Sequence, residues 1–379
     1  MPFTAALSEH PVPATAVGEV AGEVLEQLGP SPDLAMLFVT PPHAGALEDA
    51  AAAIGDILRP GTLVGCSAAS VVGTGREVER DPAVSLWAGR FGPVSPVRLG
   101  AVRDGDGFAF DGWPDPLPLD ASALVLVADP FSFPVEAFYA HLAEHHPGLR
   151  VIGGNASAAA GPGGNRLVLD RRVHTAGAVG ALMGPGVEID TVVSQGCRPI
   201  GRPYIVTRAE RNYVYELGGS PPLERLVQMS TDAMSEADID LIDQGLHLGQ
   251  VIDERKLDFE RGDFLVRNVL GADQANGAIV VGDVVPVGAT VQFHVRDAAT
   301  ADEDLRQLLG GRRADGALLF TCGGRGVGLF GAPDHDARTL DECVGAPVAG
   351  FFAAGEFGPV GGTNFLHSFT ASVALFRDA

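Results

Sequence analysis

The densest run of chemistry in this sequence is Cys322-Gly323-Gly324-Arg325-Gly326. Glycines on both sides of an arginine let the backbone approach a ligand closely and expose adjacent amides to an anion. The guanidinium among them offers a fork of N–H donors suited to a carboxylate. Further on, Gly355-Glu356-Phe357-Gly358-Pro359 sets a carboxylate in a turn directly after an apolar run. Asn364-Phe365-Leu366-His367-Ser368-Phe369-Thr370 then brings amide, imidazole and hydroxyl groups onto the next strand. Strand alternation sends His367 and Phe369 to one face, and Leu366, Ser368 and Thr370 to the other. Two earlier strand ends, Cys66-Ser67 and Asn155-Ala156-Ser157, carry small polar residues of the same kind. In open α/β sheets ligands bind beyond the carboxyl ends of strands. The candidate ligand site is therefore Cys322, Gly323, Gly324 and Arg325 for an anion, with Glu356, Asn364 and His367 reading an amine or hydroxyl. Cys66, Ser67 and Asn155 join them from the neighbouring strand ends.

The same residues admit other readings. Cys322, His367 and Glu356 would supply a nucleophile, a base and an orienting acid, and a Gly/Arg loop can stabilise a thiolate. Against this, a thiol after an apolar strand is commonly an inert core residue, and a single histidine is more often hydrogen-bonded in the core. Arg325 paired internally with Glu356 would neutralise both groups. A nucleotide loop is excluded, because no GxxxxGK[ST] occurs and the chain's one lysine is Lys256. The histidines show no HxH or HExxH spacing, and the adjacent His145 and His146 would diverge on a helix, so no metal is expected.

These residues need elements to hold them, and the elements recur. Leu34 to Thr40 is a nearly continuous apolar run, the Ala-rich Ala44 to Leu58 has helix formers and no internal proline, and Leu63 to Ser70 and Val84 to Phe91 follow as strands. The order returns in Ala123 to Ala128, the helical spacing of Pro134 to His146, Arg150 to Ser157 and Ala176 to Met183. Leu37 then corresponds to Leu126, and Val64 to Ile152. A looser third copy is Ala317 to Cys322, Pro347 to Gly355 and Phe369 to Phe376. The expected fold is α/β, with layered mixed sheets built from repeated βαββ units: tandem copies in the N-terminal half and a third at the C-terminus.

Between the second and third copies the pattern changes. Ser220-Pro221-Pro222 starts a helix over Leu223 to Met234, and Val266 to Leu270, Ala278 to Val281 and Ala289 to Val295 read as strands. Thr300-x-x-Glu303 fits a capping box for a helix running to Leu309. A domain boundary falls near Pro203 to Pro222.

Composition bounds the function. The chain has 379 residues, 46% hydrophobic and 20% charged, enough for buried cores. A net charge of −22 repels phosphate backbones and anionic lipid, so neither nucleic acid nor membrane is an expected partner. Met1 to His10 has no Lys or Arg, no apolar run is long enough to span a bilayer, and Cys66, Cys197, Cys322 and Cys343 form no CxxC. The expected location is cytoplasmic.

Several strings together resemble the FIST family. They are Val64-Gly65-Cys66-Ser67, Ser194 to Gly201 (SQGCRPIG), Leu319 to Gly326 (LFTCGGRG), Gly350-Phe351-Phe352 with Gly355 to Pro359, and Leu366 to Thr370. The resemblance runs over roughly residues 14 to 377, with small departures such as Phe357, where a smaller aliphatic residue is expected. It implies a FIST N-terminal domain over 14–205 and a FIST C-terminal domain over 220–377. It further implies a small-ligand sensory protein of signal transduction, binding an amino acid or related carboxylate metabolite without a cofactor. With no output segment inside the chain, a protein partner would carry the signal. A cysteine-dependent enzyme using Cys322 and a protein–protein adaptor are the alternatives.

Overall fold

Apolar runs with no polar alternation form strands buried on both faces. In the computed structural model, which describes residues 2–114, 117–118, 121–231 and 235–378, elements follow in a repeating order. First come β1 (Phe3–Ser8), α1 (Pro13–Leu28), β2 (Leu34–Val39), α2 (Leu47–Ile57), β3 (Thr62–Ser67), the hairpin β4 (Ser70–Gly73) and β5 (Arg76–Glu79), and β6 (Val84–Gly89). Then come β7 (Val94–Asp104), β8 (Gly107–Asp111), β9 (Ala123–Ala128), α3 (Val135–His145), β10 (Arg150–Asn155), the hairpin β11 (Leu167–Leu169) and β12 (Arg172–His174), β13 (Ala178–Met183) and β14 (Val187–Gln195). The divergent region holds β15 (Cys197–Glu210), β16 (Tyr213–Leu217), α4 (Pro222–Thr231), α5 (Glu236–Gln244), β17 (Leu246–Val251), β18 (Phe264–Asp273), β19 (Ala278–Val281), β20 (Thr290–Arg296) and α6 (Ala298–Leu309). Last are β21 (Gly316–Cys322), α7 (Val327–Phe330), α8 (His335–Val344), β22 (Val348–Ala353), the hairpin β23 (Glu356–Val360) and β24 (Thr363–His367), and β25 (Thr370–Asp378). The expected end of the fourth helix, residues 232–234, lies outside the described residues.

The chain divides into two units, Met1–Ser194 with Leu305–Ala379, and Gln195–Asp304. In the first, three mixed sheets share one plan, so the fold is mixed α/β. In each, two parallel strands are joined through a helical connection, and a third strand lies antiparallel beside the first: β6-β2-β3, β13-β9-β10 and β25-β21-β22. Each sheet is then extended by a hairpin that belongs to another copy. β11–β12 joins β3, β23–β24 joins β10, and β4–β5 joins β22. The exchange is cyclic, so no copy completes its own sheet.

Pleating explains the layers. Met36 and Phe38, Val125 and Val127, and Leu318 and Phe320 face one shared core between the sheets. The intervening Leu37 packs under α1 and α2, Leu126 under α3, and Leu319 beneath α8. One glycine recurs at one place in each copy. Gly65, Gly153 and Gly350 sit opposite Leu37, Leu126 and Leu319, where a Cβ would lie 2.0, 1.8 and 1.8 Å from the leucine carbonyl oxygen.

The second unit is a closed six-stranded barrel, β15-β16-β19-β18-β17-β20, filled by Val206, Val214, Leu248, Phe293 and their neighbours. His247 and His294 pair in register on β17 and β20 and are both buried. Burial pushes each imidazole down to about 4.

Two local expectations change. Helix α6 begins before Thr300: Asp297 Oδ1 accepts from Ala299 N at 3.0 Å and Thr300 N at 3.2 Å, so Asp297 is the cap. Residues 364–370 are not one alternating strand either. β24 ends at His367, and Phe369 has φ 64°, a left-handed turn before β25 that breaks the alternation.

Candidate functional site

Three residues beyond Leu37, Leu126 and Leu319 stand Thr40 and Asp129, each directly after its strand, and Cys322, the last residue of β21. At the first two ends the polar groups are internally paired. Thr40 Oγ1 accepts from Ala83 N at 2.8 Å, and Asp129 accepts from Asn165 Nδ2 at 2.9 Å and from Ser132 Oγ at 2.5 Å. The third end is different.

Cys322 closes β21, and the strap after it folds back on the strand end. Arg325 N donates to the Cys322 carbonyl at 2.8 Å, and Gly323 N to the Ala353 carbonyl at 3.2 Å. Gly324 N reaches Cys322 Sγ at 3.4 Å, and the Phe369 amide also points to this sulfur. Burial pushes the thiol up to about 12, reinforced by Glu356, against the pull of those amides and of Arg325. The residue at this loop is thus a thiol rather than the stabilised thiolate that a Gly/Arg loop suggests.

Arg325 is 1% exposed. Its partner is Asp336, in the first turn of α8, not Glu356: Nε donates to Oδ2 at 2.7 Å and Nη2 to Oδ1 at 2.8 Å. Asp336 also accepts from Thr321 Oγ1 at 2.6 Å. Burial alone would raise the Asp336 carboxyl, but Arg325 holds it well below the usual carboxylate range. The Phe330 ring lies 5.2 Å from the guanidinium carbon. This leaves Arg325 Nη1 as a buried donor without a partner among the described residues.

Glu356 is the first residue of β23, rather than part of a turn, and is fully buried. Its Oε2 accepts from Thr370 N at 3.1 Å and Thr370 Oγ1 at 2.8 Å, while Oε1 has no partner among the described residues. Burial pushes this carboxyl up to about 8, against the opposing pull of Thr370 and Arg325. Asn155 ends β10 against the same hairpin. Its N–H donates to Gly355 O at 2.9 Å, and its Oδ1 is likewise buried and unpartnered. Glu77 of β5 completes the acidic surroundings of Arg325. Its Oε1 accepts from Ala337 N at 3.0 Å, and burial, with Asp336 nearby, pushes it up to about 8.

The remaining candidates serve the fold. Cys66 lies in the shared core, and Ser67 Oγ accepts from Arg166 N at 3.0 Å. Asn364 fastens β24 to the sheet, accepting from Val151 N and donating to Leu149 O, each at 2.8 Å. His367 stands opposite Glu356 in register, but its Nε2 meets Gly358 O at 3.0 Å and Glu356 binds Thr370. These hydrogen bonds run to Gly358 and Thr370 rather than along a line from Cys322 through His367 to Glu356. The residues that the sequence reading missed are Asp336, Glu77 and Thr370. A glycine-flanked arginine calls for a buried acid, yet nothing local singles out Asp336 from its neighbour Asp334.

Two family descriptions match this chain: the FIST N domain over residues 33–220 and the FIST C domain over 223–359. The chain belongs to the FIST family. FIST domains are associated with sensory and signal-transduction proteins. An uncharacterized protein of Mycobacterium tuberculosis is 44% identical over 383 residues, covering 98% of each chain. An uncharacterized protein of Mycobacterium bovis is 44% identical over 373 residues, covering 95% of each. No described helix of this FIST protein is long and apolar enough to cross a membrane.

Proposed function

We propose that this FIST protein is a small-ligand sensor whose site lies at the end of the third copy's strands, around Arg325, Glu356, Asn155 and Cys322. One observation supports this above the others. Arg325 Nη1, Glu356 Oε1 and Asn155 Oδ1, with Glu77 Oε2 also beside Arg325, are buried polar atoms without a partner among the described residues, whereas Thr40 and Asp129 at the matching ends are paired. Leaving such groups unpaired costs about 1–3 kcal/mol each, and a ligand or ordered water recovers it.

The ligand class is an amino acid or related carboxylate metabolite. Asp336 already occupies two donors of the Arg325 fork, so Nη1 takes one carboxylate oxygen and no bidentate clamp forms. Asn155 Oδ1 and Glu356 Oε1 then receive the ammonium or hydroxyl. Such a chain works in the cytoplasm and passes its signal through a protein partner. The test is a thermal-shift screen of amino acids and small organic acids on wild type and Glu356→Gln, which keeps an acceptor for Thr370. A ligand a hundredfold above its dissociation constant stabilises by about 2.7 kcal/mol. That gain should shrink in the variant; a panel with no stabilising compound argues against the proposal.

A further inference from the structure

Buried charges are ordinarily paired, and around Arg325 they do not balance. Arg325 and Asp336 neutralise one another through two hydrogen bonds. Glu356 is fully buried, yet its only hydrogen-bond donors among the described residues are the amide and hydroxyl of Thr370, both on Oε2. The elements packed on it supply no cation to Oε1. Asn155 of β10 presents an acceptor, and Cys322 at the end of β21 carries a protonated thiol. His367, opposite in register on β24, has its Nε2 against the Gly358 carbonyl. Arg325 acts on Glu356 only across space, with no hydrogen bond between them. Acceptors therefore outnumber donors. Glu356 Oε1 and Asn155 Oδ1, with Glu77 Oε2 beside Arg325, stand against one unpartnered donor atom, Arg325 Nη1.

We infer that Glu356 sets the specificity of this site by receiving a cationic amine, so that a compound must carry an ammonium, and not a carboxylate alone, to bind. The inference rests on the ligand-site reading proposed above. A bare carboxylate would find one donor, Nη1, and would turn its remaining lone pairs toward Glu356 Oε1 and Asn155 Oδ1. An ammonium has three N–H donors and no acceptor, so it satisfies both oxygens at once. Binding then has a proton cost. With no cation at hand, burial pushes the Glu356 carboxyl up to about 8, so near neutral pH the empty site holds it protonated. The incoming ammonium takes the place of that proton. A neutral carboxyl and a charged ammonium become a carboxylate–ammonium pair, and one proton passes to solvent. Below about pH 8, each unit of acidification therefore weakens such a ligand about tenfold.

The experiment is calorimetric titration of the full chain with matched compounds that differ only by the amine: alanine and propionate, aspartate and succinate, glutamate and glutarate. Titrations at pH 6 and pH 7 give the pH slope, and phosphate against Tris, whose ionisation heats differ, counts the protons released. At least one amino compound should bind tenfold or more tightly than its amine-free partner. It should also weaken about tenfold from pH 7 to pH 6 and release close to one proton. Glu356→Gln resembles the protonated acid and keeps an acceptor for Thr370, so it should melt near wild type. It should lose the preference for the amine and release no proton. An amine-free acid that binds as well as its partner, binding without proton release, or release that persists in Glu356→Gln overturns the inference and leaves a ligand site in place. No heat from either member of any pair counts against the site itself, and both readings fall.

Discussion

Replacing Arg325 by leucine leaves Asp336 as a buried carboxylate stripped of its cation, and the expected loss is about 3–5 kcal/mol. Urea unfolding followed by tryptophan fluorescence measures it, because Trp87 and Trp113 are the chain's two tryptophans and both lie in the first unit. Removing both partners in Arg325→Leu/Asp336→Leu should recover most of the loss, since no lone charge remains. If the double variant is as unstable as the single one, the pair is not the cause. Cys322 yields a second outcome at this scale. With its thiol at about 12, it should react with iodoacetamide at pH 8 far more slowly in the native chain than after unfolding. Rapid native labelling would contradict the half-buried, protonated state. Residue types alone showed that Arg325 calls for an acid, and they named Glu356 and Asn155 beside it as candidate ligand residues. Which acid answers Arg325 was not legible, because α8 and β21 meet only through tertiary packing.

At the scale of elements, the repeated close approach of a glycine to a leucine carbonyl predicts three similar substitutions. Gly65→Ala, Gly153→Ala and Gly350→Ala each place a methyl inside 2.0 Å of that oxygen, and overpacking of this kind costs about 1–3 kcal/mol or more. Urea midpoints should fall for all three. A neutral substitution at any one of them would mean that its sheet relaxes where the others cannot. The strands themselves could be read from the sequence because both faces are buried, which makes runs such as Leu34–Val39 continuous. The cyclic exchange of hairpins could not. Pairing of β4 with β22 joins segments far apart in sequence, and local propensity carries no information on such partners. Phe369 shows the same limit on a shorter range, since its left-handed backbone has no signature in a run of strand formers.

Over the whole molecule, acid acts on the two units in opposite directions. Glu77 and Glu356 are raised to about 8 from roughly 4.3 in an unfolded chain. Their folded forms hold protons that the unfolded chain has released, so the stability that these two groups contribute to the first unit declines as pH rises from about 4.3 to 8. His247 and His294 are lowered to about 4, so there the unfolded chain holds the protons. Barrel stability therefore rises between about pH 4 and 6.5, each site contributing up to about 1.4 kcal/mol per pH unit. Hydrogen exchange corrected for intrinsic rates should show the barrel amides losing protection from pH 7 to 5.5, while β21 and β23 gain it. Glu356→Gln should flatten the first-unit trend. A parallel response of both units would point instead to the overall charge of −22 as the cause.

The central claim is that the third copy's strand end holds a ligand. A crystal structure of the chain grown with the best stabilising amino acid or organic acid tests it most directly. The account predicts the ligand within hydrogen-bond distance of Arg325 Nη1, with its second polar group at Glu356 Oε1 or Asn155 Oδ1, and the Arg325–Asp336 pair intact. Density for the compound elsewhere, with only ordered water on those three atoms, would contradict it.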